Sequence, residues 1–298
     1  MDKKINNLEK LVDPVDQSKL IWNQSDNSLN GKNGKYKIIN SIPSFVNQSE
    51  FEEHWETNSS DSIPEKKLVN AERFLQPAMK SIETQTEEVK ILDAGCGDGI
   101  HLLKLSQNLK SKNKNVIAFG VDSAISGLTL CKSRLSNNWP LIQASVDKLP
   151  FKDNFFDTSF SYGVLAYTLD PYKSLMELER VTKIGGEIGI WIYPKKEGFV
   201  GALFNFTRKV AGALNPFWQK RLADVIVPFL PFLPINSKLN LGNATWNQCR
   251  EIVMVNIIPD DLKFYSEKEI KSWFTKLNLE IMESTDVDPI TVWSIKRK

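Results

Sequence analysis

A chain of 298 residues is long for one core, so a principal domain with an accessory piece is expected. The 41% hydrophobic and 25% charged fractions are those of an ordinary globular protein, and a net charge of +2 offers no broad basic field, so nucleic acid is not an expected partner. The start, MDKKINNLEK, has no apolar signal core, and no segment supplies about 18 uncharged apolar residues, which predicts a cytoplasmic protein. Cys96, Cys131 and Cys249 are too widely spaced for a disulfide framework or a metal knuckle, so no metal is expected.

In chain order, residues 1–48 read as short strands and turns, and 49–87 as a polar linker leading into the helix KKLVNAERFLQPAMKSIE. Between 89 and 193 strands alternate with helices. Strands are predicted at 89–94, 116–121, 140–144, 156–161 and 186–193, and helices at 99–110, 124–136 and 171–183. That alternation predicts parallel βαβ units in an α/β, doubly wound sheet. Residues 198–258 interrupt it with a phenylalanine- and proline-rich insertion. The helix SEKEIKSWFTKL and the strands LEIMES and ITVWSIK then resume it, so the principal domain is read as 88–197 joined to 259–298.

The stretch ILDAGCGDG, residues 91–99, sits where the first strand of this unit turns into its first helix. A ligand there would meet free backbone N–H groups and the positive helix end, with no Cβ in the way at Gly95, Gly97 and Gly99. A dinucleotide fingerprint needs G-x-G-x-x-G, but position 100 is Ile100, and no Gly-Lys-Ser/Thr follows for a phosphate loop. Asp122 closes the second strand, where a carboxylate can accept from both ribose hydroxyls. Asp93 would repel a diphosphate but attract an ammonium group. S-adenosylmethionine, with its α-ammonium and sulfonium, fits that pair of acids.

ILDAGCGDG, GVDSA, ASVDKLPFKDNFFDTSFSYGVL and LMELERVTKIGGEIGIWIY together resemble, in order, the motifs of class I S-adenosylmethionine-dependent methyltransferases with a type 11-like domain. The resemblance implies a Rossmann-like, seven-stranded mixed sheet whose last strand is antiparallel. It implies that Asp93, Gly95, Cys96, Gly97 and Gly99 back the methionyl and ribose portions of the cofactor, with Asp122 and Ser123 at the ribose. Ser145, Val146 and Asp147 would edge the adenine, and Ser161 would complete the cofactor site. Further upstream, LEKLVDPVDQSKL and GKYKIINSIPSFV are similar to a zinc-ribbon-like module. Asp13, Asp16, Asn30 and Asn33 stand where such modules carry cysteines, and these hard oxygen ligands predict a metal-free remnant.

The acceptor is expected beyond the fourth strand, at SYGVLAYTLDP. No Asn/Asp-Pro-Pro-Tyr/Phe signature of base amino methylation is present, and no cysteine follows a proline. Relatives often carry GVLHHT where this chain has GVLAYT, so a histidine base is not expected and no catalytic residue is identified. Tyr162, Tyr167 and Tyr193 are the pocket candidates, with half-buried packing as their other reading. His101 packs or caps the first helix, His54 lies in the linker, and Trp55 closes over the cofactor or packs on the surface. Residues 198–240 read as a helical lid over an apolar acceptor, as a peripheral membrane contact, or as a packed appendage. Arg208, Lys209, Lys220 and Arg221 would turn toward water or anionic head groups. The expected function is transfer of a methyl group to a small or lipid-like metabolite at oxygen or carbon. An RNA methyltransferase and a non-catalytic S-adenosylmethionine-binding or partner subunit are the alternatives.

Overall fold

Seven strands form the main sheet, and their register decides where the glycine turn lies. The computed structural model describes residues 8–46, 63, 65–110, 114–135, 139–195, 206, 208–232, 246–256, 262–285 and 290–297. His54 and Trp55 lie outside the described residues. The chain divides into two compact units, Met1–Tyr193 with Glu267–Lys298, and Pro194–Ser266.

The first unit opens with a four-stranded antiparallel sheet, β1 (Ile21–Asn23), β2 (Ser28–Asn30), β3 (Lys35–Ile39) and β4 (Ile42–Pro43). Helix α1 (Glu65–Thr84) follows. The main sheet is built from β5 (Val89–Ala94), β6 (Val116–Asp122), β7 (Leu141–Gln143), β8 (Phe156–Tyr162), β9 (Thr182–Ile192), β10 (Leu279–Thr285) and β11 (Ile290–Lys296). Helices α2 (Ile100–Lys110), α3 (Ile125–Arg134), α4 (Pro171–Val181) and α7 (Glu267–Lys276) connect them. The strand order is β10-β11-β9-β8-β5-β6-β7, parallel from β9 to β7, with β11 antiparallel between β9 and β10. This is the expected Rossmann-like methyltransferase fold. The chain leaves β5 first toward β6 and later returns to β8 on its other side. That reversal opens a crevice at the carboxyl ends of β5 and β8, the usual ligand position in such sheets.

Helix α1 places Ala71, Phe74, Leu75, Ala78, Met79 and Ile82 on one buried stripe at three- and four-residue spacing. The Trp293 indole N–H donates to the Phe74 carbonyl at 3.1 Å, tying β11 to α1. Gly189 on β9 makes room for that indole, because a Cβ there would lie 2.5 Å from the Trp293 ring. Gly189→Ala is therefore expected to cost about 2–3 kcal/mol by overpacking, measured by urea denaturation. A loss below about 0.5 kcal/mol would mean that the indole slides aside freely.

The largest boundary difference from the sequence expectation lies where α4 meets β9. Helix α4 stops at Val181, and β9 starts at Thr182 instead of 186. The Thr182 hydroxyl bonds both the Leu178 carbonyl and Ser159 Oγ, while its backbone pairs with Phe156, so the residue is already held in the sheet. Strand β7 is only three residues long, yet its margin is covered. Ser44 bridges to Gln143 in parallel, and the Phe45 N–H donates to the Gln143 carbonyl at 2.7 Å.

The second unit contains α5 (Pro216–Ile226), a 3-10 stretch at Val227–Phe232 and α6 (Trp246–Asn256). Ala211, Ala223, Val227 and Val253 form its small core, and Asp224 pairs with Arg250 at 2.6 Å. Phe206, Phe217, Trp218 and Phe229 are exposed. Arg208 departs from the expectation that it faces water. It is buried, donates to the Leu262 carbonyl at 3.0 Å and lies 4.6 Å over the Phe264 ring. No helix among the described residues is long and apolar enough to cross a membrane.

Candidate active site at the glycine turn

The turn after β5 is shaped by the chain's own packing. Gly95 has φ +89°, and a Cβ there would fall 2.3 Å from Val164 Cγ2, in the loop after β8. Gly99 has φ +78°, and its missing Cβ leaves room for Cys131 Sγ of α3. The amides are committed as well. The N–H groups of Gly95 and Cys96 both donate to the Val121 carbonyl, at 2.7 and 2.9 Å, and that of Gly99 donates to the Cys96 carbonyl. Gly97 N–H donates to Asp122 Oδ2 at 2.8 Å. The expected row of free amides is thus absent at these four positions, and the turn offers no anion cradle there.

Acids surround it instead. Asp93 is fully buried, and neither carboxylate oxygen has a hydrogen-bond partner. Burial, and then the neighbouring Asp122 and Asp98 carboxylates, hold its pKa well above 3.8. Asp122 Oδ1 accepts from the Ala124 N–H at 2.9 Å, fixing the carboxylate at the end of β6. Asp98 forms an ion pair with Arg134 of α3. A diphosphate would meet these acids with no free donor among the four amides, whereas a ligand with a cationic end would complete Asp93. The residues present therefore fit S-adenosylmethionine and disfavour a nicotinamide dinucleotide.

The other expected cofactor residues are brought to the same end of the sheet, several with their side chains engaged. Ser161 Oγ donates to the Ala94 carbonyl at 2.6 Å, lacing β8 to β5. The Ser123 carbonyl accepts from Gln143 Nε2 at 2.8 Å. Ser145 Oγ accepts from the Asp147 N–H at 3.3 Å, and Asp147 accepts from the buried Ser174 hydroxyl. Val146 and Cys96 are buried, and burial drives the Cys96 thiol well up.

The three tyrosines belong to one aromatic run. Tyr162 stacks on Trp191 with centroids 4.6 Å apart, Trp191 meets Tyr193 edge-on at 4.7 Å, and Tyr193 meets Tyr167 at 6.2 Å. On its other side Tyr162 meets His101 at 4.4 Å and Phe74 at 5.0 Å. Burial pushes Tyr162 up to about 12 and His101 down to about 4. Sequence reasoning missed Trp191 and Phe74. Trp191 was signalled by its period-2 relation to Tyr193 in GEIGIWIY, which puts both on one face.

Residues 92–190 match the family model described as a methyltransferase domain. That match runs from β5 to β9, about a third of the chain. A tRNA U34 carboxymethyltransferase of Methylococcus capsulatus is 31% identical over 103 residues, covering 33% of this chain and 30% of that protein. A 2-phytyl-1,4-naphtoquinone methyltransferase of Nostoc punctiforme is 29% identical over 153 residues, covering 49% of this chain and 59% of that protein. The chain thus spans between 30% and 59% of the length of these curated relatives. One chain of the complex holding the Haloferax volcanii Trm112 methyltransferase activator superposes with a TM-score of 0.50 at 16% identity, over 85% of this chain and 100% of that one, which shows a shared fold.

The similarity to tRNA U34 carboxymethyltransferases overturns one expectation. Near-neutral net charge had set nucleic acid aside as a partner, but whole-chain charge does not report the local surface that would meet an RNA.

Proposed function

We propose that the chain is an S-adenosylmethionine-dependent methyltransferase acting on a small or lipid-like metabolite at oxygen or carbon. The observation that carries the cofactor part of this reading is Asp93, a buried carboxylate without a partner beside a glycine turn whose own amides are satisfied. When bound, S-adenosylmethionine supplies an electrophilic methyl group on a sulfonium. Asp93 would receive the cationic amino end, Asp122 would accept from the ribose hydroxyls, and the turn at Ser145–Asp147 would border the adenine. Tyr162, with a pKa of about 12, stays protonated at neutral pH, and Tyr193 is raised in the same direction by burial. They can wall the acceptor and donate hydrogen bonds, but they do not serve as bases. His101, at about 4, is a neutral and weak base. The protein's contribution is therefore alignment and exclusion of water around an acceptor that brings its own nucleophile.

Similarity to the naphthoquinone methyltransferase supports an apolar acceptor. Similarity to the tRNA U34 carboxymethyltransferases supports RNA as the second reading. In the N-terminal sheet, Asp13 accepts from the Val15 and Asn33 N–H groups, joining the two turns that zinc would join in a zinc ribbon, which supports a metal-free relative of that module.

A screen with methyl-labelled cofactor against quinone and lipid extracts, other small metabolites and total tRNA tests the acceptor. Label in the lipid or metabolite fraction is expected, and label confined to tRNA would replace that reading with the second. Asp122→Asn should weaken S-adenosylhomocysteine binding by about tenfold in titration calorimetry, through loss of charge-assisted ribose bonds. Unchanged affinity would remove the ribose assignment, and no binding by the wild-type chain would remove the cofactor reading.

A further inference from the structure

A groove on the first unit lies between α1 and the β9–β10 side of the sheet, lined by Pro77, Lys80, Ser81, Glu187, Met282 and Glu283 and enclosing about 360 Å3. Glu187 is in register with Thr158, and Thr158 with Ile91, four residues before Gly95. At roughly 3.3 Å per residue the groove is about 13 Å from the glycine turn along the strands, and it lies two strands to the side. It is separate from the Asp93 site.

Glu187 is only 9% exposed, and its Oε2 has no hydrogen-bond partner. The Ser81 hydroxyl bonds the carboxyl group, while burial raises its pKa. Beside it in register, Thr158 Oγ1 is also buried without a partner. A buried acceptor left unmatched is costly, and it calls for a donor that arrives with a ligand. The walls say what kind. Pro77 and the 43% exposed Met282 offer an apolar passage wide enough for a methylene stem, and Glu283 adds a second carboxylate. A compact cation at the end of an alkyl chain satisfies the floor and the walls together.

We propose that this groove binds an alkylammonium group, its cation on Glu187 Oε2 and its stem between Pro77 and Met282. The chemistry is shared by a free polyamine and by a lysine side chain of a partner protein. Lys80, exposed on the same wall, is the competing cation.

The test uses the full chain with its five methionines labelled at the methyl carbon, the Met282 signal being identified with Met282→Leu. Adding n-butylammonium should shift that signal saturably, and n-butanol, with the same stem and no charge, should not. Glu187→Gln should weaken the response by tenfold or more, and Lys80→Ala should strengthen it. Both variants should keep wild-type affinity for S-adenosylhomocysteine, showing that they are folded. Tighter binding of spermidine than of a lysine-bearing tetrapeptide would point to a free amine, and the reverse to a partner's lysine. An absent shift, an equal response to butanol, or an unchanged response in Glu187→Gln would overturn the proposal.

Discussion

Asp93→Asn is expected to weaken S-adenosylmethionine binding by about 100-fold while making the ligand-free protein more stable. The affinity loss, about 3 kcal/mol, is that of a buried charge-assisted contact with the cationic end of the cofactor. The stability gain follows from pKa. The Asp93 carboxyl is held well above the unfolded value of 3.8 by burial and by Asp122 and Asp98. Between those two values the folded state binds more protons than the unfolded chain. Its contribution is therefore fully present below about 3.8 and is lost as pH rises through the raised pKa. Asparagine removes that slope, so the variant should gain most over wild type on the alkaline side. Binding should also expel the Asp93 proton wherever the free protein still holds it, so wild-type affinity should rise with pH. Calorimetry in two buffers of different ionisation enthalpy measures the proton release, and thermal denaturation across pH measures the stability. Equal affinity of Asp93→Asn and wild type would detach Asp93 from the cofactor.

Gly95→Ala should cost about 3–5 kcal/mol, a large share of the stability of an ordinary domain. Two effects add. An alanine at φ +89° is strained by about 1–2 kcal/mol, and its Cβ would fall 2.3 Å from Val164 Cγ2. Adding Val164→Ala should recover part of the packing share, since Val164 Cβ would still lie 2.7 Å from the new methyl, and none of the backbone share, so a double-mutant cycle by urea denaturation sets a lower bound on the packing share. A single-variant loss below about 1 kcal/mol would contradict both.

Most of the sheet was legible because each strand and helix repeats a local pattern. LEIMES and ITVWSIK were readable as strands from alternation alone, and the stripe of α1 from its three- and four-residue spacing. What escaped depends on contacts between distant segments. ILDAGCGDG suggests glycines cleared for a ligand, but the atoms that occupy the space at Gly95 and Gly99 belong to Val164 and Cys131, dozens of positions away. Asp93 was legible as an attractor of positive charge, since its residue type and strand-end position suffice for that. Arg208 looks like a solvated cation in an apolar segment, and only the folded chain brings the Leu262 carbonyl to its guanidinium. Glu187 in GGEIGIWIY gives no hint of a groove, because Pro77, Ser81 and Met282 come from two other segments.

The position of β11 sets the order in which the main sheet can be completed during synthesis. The strand lies inside the sheet, between β9 and β10, although it is the last of the strands to leave the ribosome. Trp293 joins a carbonyl made 219 positions earlier. Until Trp293 emerges, the space over Gly189 is unfilled and β9 presents an unpaired margin on that side. Helix α1 can meet β5 and β8 sooner, but it cannot be locked. Contacts of this sequence separation slow folding and leave apolar surface exposed in the nascent chain. The same α1–β9–β10 region also carries the Glu187 groove, whose walls come together only after Met282 and Glu283 have been added. Any amine bound there would recognise only chains already extended past Glu283.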